Sequence, residues 1–243
     1  MKFVRMESGD VDDQPYWQQR GWLLSAAFVT VLFCVGGVFA VAASWGDDGE
    51  RRAAPAAVIG AAKQDGARPD GCRTDDTDRS IPVRPPADIT WRPLNGAKVP
   101  LSASAGPLKT SGPLMWCFAH TPMGAVMAAH VIPRHMSGPD WREVAEQQLM
   151  PGAGREVFVA MRSSLPDEPA ASSETSLAGF SMVSYQLDKA TVRLLLKQGK
   201  LYAATDYTVA WDGADWKVQP MSSGDLHTPL ALVGTGGFVM WEA

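Results

Sequence analysis

Few residues in this 243-residue chain have the types and spacing for chemistry, and most of them fall in one stretch, WCFAHTPMGAVMAAHVI, from Trp116 to Ile132. Cys117 and His120 make a Cys-x-x-His, the start of either a thiolate–imidazole pair or a metal site. A zinc site needs three or four protein ligands. The other histidines, His130, His135 and His227, stand at no spacing that supplies them with a second cysteine. No metal, no cofactor and no catalytic residue is therefore expected. Cys117 reads as half of a structural cystine, His120 as a capping or core residue, and His130, on an apolar helical face, as a hydrogen-bonded core or pocket-edge residue.

Other candidates lie further along the chain. Tyr207, Trp211 and Trp216 belong to one aromatic hairpin, which reads as cross-strand packing or as a recognition edge for a partner. The tail SSGDLHTPLALVGTGGFVMWEA contains GTGG, but no Lys-Ser/Thr follows and no helix signal, so it is not a phosphate loop. Phe238, Val239 and Trp241 read as folding back on the domain, with a partner-binding arm as the other reading. General acid–base work would want Asp, Glu or His on the concave side of a sheet. The alternating faces carry Val, Leu, Ala, Thr, Tyr and Trp, and Asp206 falls on the opposite alternation.

The elements that must hold these residues follow from periodicity. Thr121-Pro122 is an N-cap with Pro at the first helical position, and Met123, Val126, Met127, His130 and Val131 keep helical spacing until Pro133. A second helix is predicted from near Pro139 to Pro151, with Trp141, Val144, Ala145 and Leu149 on one face, and a third over REVFVAMRSS. Beyond PDEPAASSETS the period changes from 3.6 to 2. FSMVSYQL, ATVRLLLK, LYAATDYTVAW and the segment with Trp216 and Val218 form a four-stranded antiparallel meander, turning at Asp188-Lys189, Gly199-Lys200 and Asp212-Gly213. Residues 71–115, dense in proline, read as an irregular wrapping segment docked by Ile89, Trp91, Val99 and Leu101. Helices first and strands afterwards describe an α+β domain, its helices on one face of a curved four-stranded sheet.

Before this domain runs WLLSAAFVTVLFCVGGVFAVAAS, residues 22–44, with no charge in it. A helix of that length is roughly 33 Å long, enough for the ~30 Å hydrocarbon core of a bilayer. It is read as an uncleaved single transmembrane helix between a cytoplasmic tail (1–21) and a flexible stalk (45–70), with the α+β domain over 71–243. The rival is a signal peptide cleaved near Ala40-Val41-Ala42. Flanking positive charges are nearly balanced, so orientation rests on cysteine: Cys72 and Cys117, both beyond the span, are expected to pair in an oxidising, extracytoplasmic compartment. With a net charge of −4 and no basic stripe, direct nucleic-acid binding is not expected.

The hairpin YTVAWDGADWKVQPM, Tyr207 to Met221, resembles the last hairpin of the nuclear transport factor 2-like (cystatin-like) cone fold. With the anchor, stalk and single domain, the layout resembles the TcpC-like bitopic conjugation proteins, their type IV secretion counterparts, and uncharacterised actinobacterial membrane proteins of mobile elements. The resemblance implies a non-enzymatic scaffold docking other envelope or transfer-channel proteins, with a homo-oligomer left open. One domain in place of two departs from the TcpC-like pattern. Two other readings stay open: a membrane-tethered protein holding an apolar small molecule or peptide, and an isomerase or hydrolase on the same fold.

Overall fold

The computed structural model of the chain describes residue 59, residues 68–165, residue 167 and residues 175–241. They belong to the second of two compact units, residues 56–243. The tail read over 1–21, the span over 22–44 and all but the end of the stalk over 45–70 lie outside the described residues, apart from Ile59. No helix among the described residues is long and apolar enough to cross a membrane.

The stretch around His130 becomes the central helix α1, Pro122–His135. Thr121 is extended, and its hydroxyl accepts the Gly124 N–H at 3.1 Å, satisfying one of the orphan donors of the first turn. Pro133 does not stop the helix as its spacing predicted. It sits in the last turn, where little helix remains to be broken, and Arg134 and His135 add positive charge at the C-terminal end. Ala125 through Ala129, Val131 and Ile132 all have zero exposure. A helix apolar on every side must be covered on every side.

One cover is the meander: β5 (Ser176–Tyr185), β6 (Lys189–Gln198), β7 (Leu201–Trp211) and β8 (Trp216–Val218), each antiparallel to the next. Phe180, Val192, Leu194, Val209, Trp216 and Val218 join α1 in one core. On the other alternation Arg193 and Asp206 face each other across the register and pair through two hydrogen bonds of 2.6 and 2.9 Å. Leu201, on the same alternation as Val209, is 63% exposed at the turn end of β7. The tail adds two short strands, β9 (Ala231–Leu232) on β7 and β10 (Val239–Met240) on β5.

The other cover corrects the sequence reading. The segment expected to be irregular holds two hairpins, β1 (Ile89–Leu94) with β2 (Ala97–Ser102), and β3 (Lys109–Ser111) with β4 (Leu114–Trp116). Asn95 and Gly96, at φ 45° and 83°, make the two-residue turn that suits the right-handed twist of hairpin strands. Pro93 and Pro100 had argued against strands. The register shows why they are tolerated: Leu94 opposes Ala97 beside the turn as a hydrogen-bonded pair, so Pro93–Lys98 and Trp91–Pro100 are non-hydrogen-bonded pairs. A proline there loses no ladder bond, because its nitrogen points out of a two-stranded sheet.

The α+β reading with helices on a four-stranded, cystatin-like cone is therefore wrong. The main sheet has six strands, two further two-stranded sheets precede it, and only three helices occur among the described residues, so strands dominate. The remaining helices are α2 (Trp141–Gln148) and α3 (Ala153–Ser163). Helix α2 is shorter than predicted because Leu149 turns extended and bridges Val218 of β8. Trp141, fully buried, meets the Phe158 ring edge-on at 6.0 Å, while Arg142 and Arg162 lie over its indole.

Candidate functional site

Cys117 is bonded to Cys72 across 45 residues of chain, with Cα atoms 5.5 Å apart. On the loop-closure model such a link disfavours the unfolded chain by about 4 kcal/mol. Cys117 has φ 71°, an unusual conformation for a residue with a Cβ. The carboxylate of Asp215, 2% exposed, is bound beside it: its oxygens accept the N–H groups of Cys117 at 2.5 Å, Phe118 at 2.9 Å and Trp216 at 3.0 Å. Arg68 approaches the same carboxylate at 3.5 Å and donates to the carbonyls of Phe118 at 2.6 Å and Ala214 at 3.0 Å and to the Thr74 hydroxyl. Burial pushes the Asp215 carboxyl up to about 7, against the opposing pull of these N–H groups and of Arg68. Arg68 lay in the segment read as stalk and belongs instead to the domain.

His120 completes this junction. Its ring stacks on Trp211 at 3.8 Å, its Nε2 lies 2.5 Å from the Leu187 carbonyl, and its own N–H donates to Asp76 at 2.6 Å. Trp216 is fully buried and donates its indole N–H to the Ala119 carbonyl at 2.9 Å. Trp211 and Trp216 therefore pack edge to face at 5.5 Å around the cystine end of α1. Trp216 is wholly covered and Trp211 is half-buried against it. No group of three or more His, Cys, Asp or Glu among the described residues is placed to hold a metal.

The other end of α1 is built differently. A cavity of about 680 Å³ opens between β2, the start of β5, the β6–β7 turn and β10, lined by Trp91, Leu177, Tyr202, Met240 and Trp241, with Lys98 and Lys197 beside them. A second, inner cavity of about 320 Å³ shares Ala97, Thr175 and Leu177 with the first and reaches His130, Arg134, Thr205 and Tyr207. Both volumes fall in the range of small-molecule sites. A further cavity of about 750 Å³ lies along the Pro-rich segment, but its carboxylates are engaged locally, Asp75 by Thr77 and Asp78 by Ser80.

Trp241 closes the wall between the outer cavity and the core. It is 7% exposed, meets Phe180 at 4.8 Å and Trp91 edge-on at 5.8 Å, and donates its indole N–H to His130 Nε2 at 3.2 Å. His130 Nδ1 lies 2.8 Å from the Val126 carbonyl. A carbonyl can only accept and an indole N–H can only donate, so His130 is neutral, with its proton on Nδ1. Burial lowers its pKa to about 4. His130 is thus a satisfied core residue at a pocket edge. His135 is buried, and His227 lies beside Thr205 and Thr228 with its ring 5.2 Å from that of Tyr207.

Arg134 donates Nε–H to the Leu94 carbonyl at 3.2 Å and an Nη2 hydrogen to Asn95, leaving both Nη1 hydrogens and one on Nη2. It has no carboxylate partner among the described residues. Burial lowers its pKa, and the neighbouring Tyr207 raises it in part. Burial likewise pushes the Tyr207 phenol above its ordinary range. The Tyr207 hydroxyl has no hydrogen bond to a described residue. Of the four aromatics read as partner-binding, then, Trp211 and Trp216 belong to the cystine junction, while Tyr207 and Trp241 line the adjoining cavities. Arg134 was missed by sequence reading, since one arginine after Pro133 at a helix end reads as a dipole partner. The Asn95-Gly96 turn that brings β1 and β2 over it was the signal available.

The fold and cleft define a strand-rich domain wrapped around one buried helix, with a two-chambered cavity at that helix's C-terminal end. The chain belongs to the family described as domain of unknown function DUF8175, whose profile matches residues 52–240. No curated protein and no solved structure matches it.

Proposed function

We propose that the chain is a non-enzymatic binding protein whose domain takes an apolar small molecule or short peptide side chain into the cleft between the β1–β2 hairpin and the β5–β6–β7 end. One observation carries this reading: two adjoining cavities of about 680 and 320 Å³ walled by Trp91, Leu177, Leu194 and Trp241. An apolar wall with a few convergent polar groups is the usual construction of a ligand site. The described lining residues include no Asp or Glu, and His130 is held neutral by two partners, which favours binding over acid–base chemistry. The apolar run at 22–44 supports a single-pass tether, and the Cys72–Cys117 disulfide supports an extracytoplasmic domain.

The test is titration of the full-length chain with the neutral apolar fluorophore N-phenyl-1-naphthylamine. Saturable enhancement at one site is expected, and Leu177→Trp, which adds bulk where the chambers meet, should weaken it by about tenfold or more. Unchanged binding in Leu177→Trp, with its thermal transition preserved, would remove the cleft as the site. The scaffold reading for a conjugation or type IV secretion-like apparatus keeps one observation of its own: Leu201, Leu230 and Leu232 are 63%, 58% and 75% exposed around β9, apolar surface available to an envelope partner or a second copy. Substituting all three with Ser should abolish co-purification with such a partner if that surface is used.

A further inference from the structure

We infer that the inner chamber is a carboxylate site, so that the ligand is an amphipathic monocarboxylate with its acid group on Arg134 and Tyr207 and its apolar body toward Trp91 and Trp241. The inference rests on the binding reading above and names the ligand class for the same cleft.

Four observations carry it. First, Arg134 lines a chamber whose described walls contain no Asp or Glu, and it makes no ion pair with a described residue. A half-buried guanidinium without a counter-charge has given up part of its hydration, and an incoming anion would offset that loss. Second, two of its hydrogens are fixed on the Leu94 and Asn95 carbonyls, and Asn95 Nδ2 donates back to the Arg134 carbonyl at 3.2 Å. The remaining N–H groups are held by a rigid turn, and the planar fork of a guanidinium matches the two oxygens of a carboxylate. Third, the Tyr207 hydroxyl lines the same chamber, close enough to Arg134 that each shifts the other's proton equilibrium, and has no described partner. It supplies a third donor. Fourth, one cation fits one negative charge: His130 is neutral and its Nε2 already occupied by Trp241, so nothing else among the described lining residues offsets the second charge of a phosphate. Lys98 and Lys197 stand at the outer chamber and attract anions to the mouth without contributing to the inner site.

The experiment compares 4-phenylbutyrate with its neutral counterpart 4-phenylbutyramide, titrated by calorimetry into the purified full-length chain in nanodiscs, with empty nanodiscs as the blank. Wild type should bind the acid about tenfold or more tightly than the amide, the scale of a charge-assisted hydrogen bond pair. Arg134→Gln should bring the two within about twofold, and Tyr207→Phe should reduce the preference to roughly threefold. Because Arg134 also holds the β1–β2 turn, Arg134→Lys serves as the second variant: it keeps the charge, loses the fork and should retain part of the preference. A Lys98→Gln/Lys197→Gln double variant should keep the full preference. Equal binding of acid and amide by wild type overturns the carboxylate inference and leaves the apolar cleft standing. Preference lost in the double lysine variant and kept in Arg134→Gln overturns it as well. Binding of neither compound overturns both readings.

Discussion

Helix α1 has an arginine cluster near each end, and the two differ in how completely they are partnered. At the N-terminal end Arg68 meets Asp215, the Thr74 hydroxyl and the carbonyls of Phe118 and Ala214, with the Trp211 ring 5.0 Å away. At the C-terminal end Arg134 binds two carbonyls of a hairpin turn and then faces a cavity shared with an unbonded phenol. Buried charge that is fully paired holds chain segments together, whereas a half-buried charge turned toward open space is available to a ligand. The Cys72–Cys117 bond sits with the first cluster, so the covalent constraint, the carboxylate and the arginine all tie residues 68–79 to the domain at one place. Nothing comparable closes the second cluster among the described residues.

The sharpest way to break this contrast is to remove the carboxylate of the closed cluster. Asp215→Ala leaves the N–H groups of Cys117, Phe118 and Trp216 without an acceptor in a dry site and Arg68 with Asp76, at 3.7 Å, as its remaining carboxylate, a loss of about 3–5 kcal/mol. Urea unfolding should show that loss in full, while affinity for an apolar probe, measured where the variant is folded, should stay within about twofold of wild type. Near-native stability would mean that Asp215 does not hold the junction, and a large affinity change would mean that the two ends of α1 are not independent.

The closed end was also the more legible in sequence. Cys72 and Cys117 were read as a pair from their number and position, and Thr121-Pro122 marked the start of α1 because capping chemistry is local. The meander from Phe180 to Val218 was readable because alternation over ten residues is a strong signal. Residues 89–102 were misread because proline was weighed without register, and only pairing shows that Pro93 and Pro100 occupy non-hydrogen-bonded positions. The short strands Ala231–Leu232 and Val239–Met240 have no periodicity of their own and exist because β7 and β5 offer unpaired edges. The open end draws on pieces of both kinds. Arg134, Trp91, Tyr207 and Trp241 come from four separate stretches, and no spacing rule brings them together.

A smaller effect should come from His130, which joins the core to the cleft wall. Its pKa, lowered to about 4 by burial, lies below the ordinary value of 6.5 in the unfolded chain. The unfolded state therefore takes up a proton first as the pH falls. Stability from neutral His130 is fully present above pH 6.5 and is lost as the pH falls through about 4, on the order of 3 kcal/mol in total. His135, also lowered to about 4, acts in the same window and direction, while Asp215, raised to about 7, acts oppositely, its stabilisation lost as pH rises through 7. Because stability curves sum these contributions, the direct measurement is the imidazole nitrogen shifts of His130. They should report a proton on Nδ1 alone at pH 7, and no double protonation until near pH 4. Double protonation near pH 6.5 with the fold intact would show that the Trp241–His130 bond does not lock the wall.

The smallest effect tests whether the open cluster is positioned by its turn. Asn95 does two things: it accepts the φ of 45° that the Asn-Gly turn requires, and its side chain donates to the Arg134 carbonyl at 3.2 Å. Alanine tolerates that backbone less well and makes no such bond, so Asn95→Ala should cost about 1 kcal/mol. The hairpin should still form, because Gly96 keeps the turn and Val99 stays buried in the core that α1 shares. What should change is the freedom of Arg134, whose two carbonyl acceptors, Leu94 and Asn95, flank that turn. A site held by a loose turn binds apolar bodies as before and discriminates charge less well. The preference for 4-phenylbutyrate over the amide should therefore fall by about threefold while the amide's own affinity stays constant. If stability falls and the preference does not, Arg134 is held by the helix alone and the hairpin is only its roof.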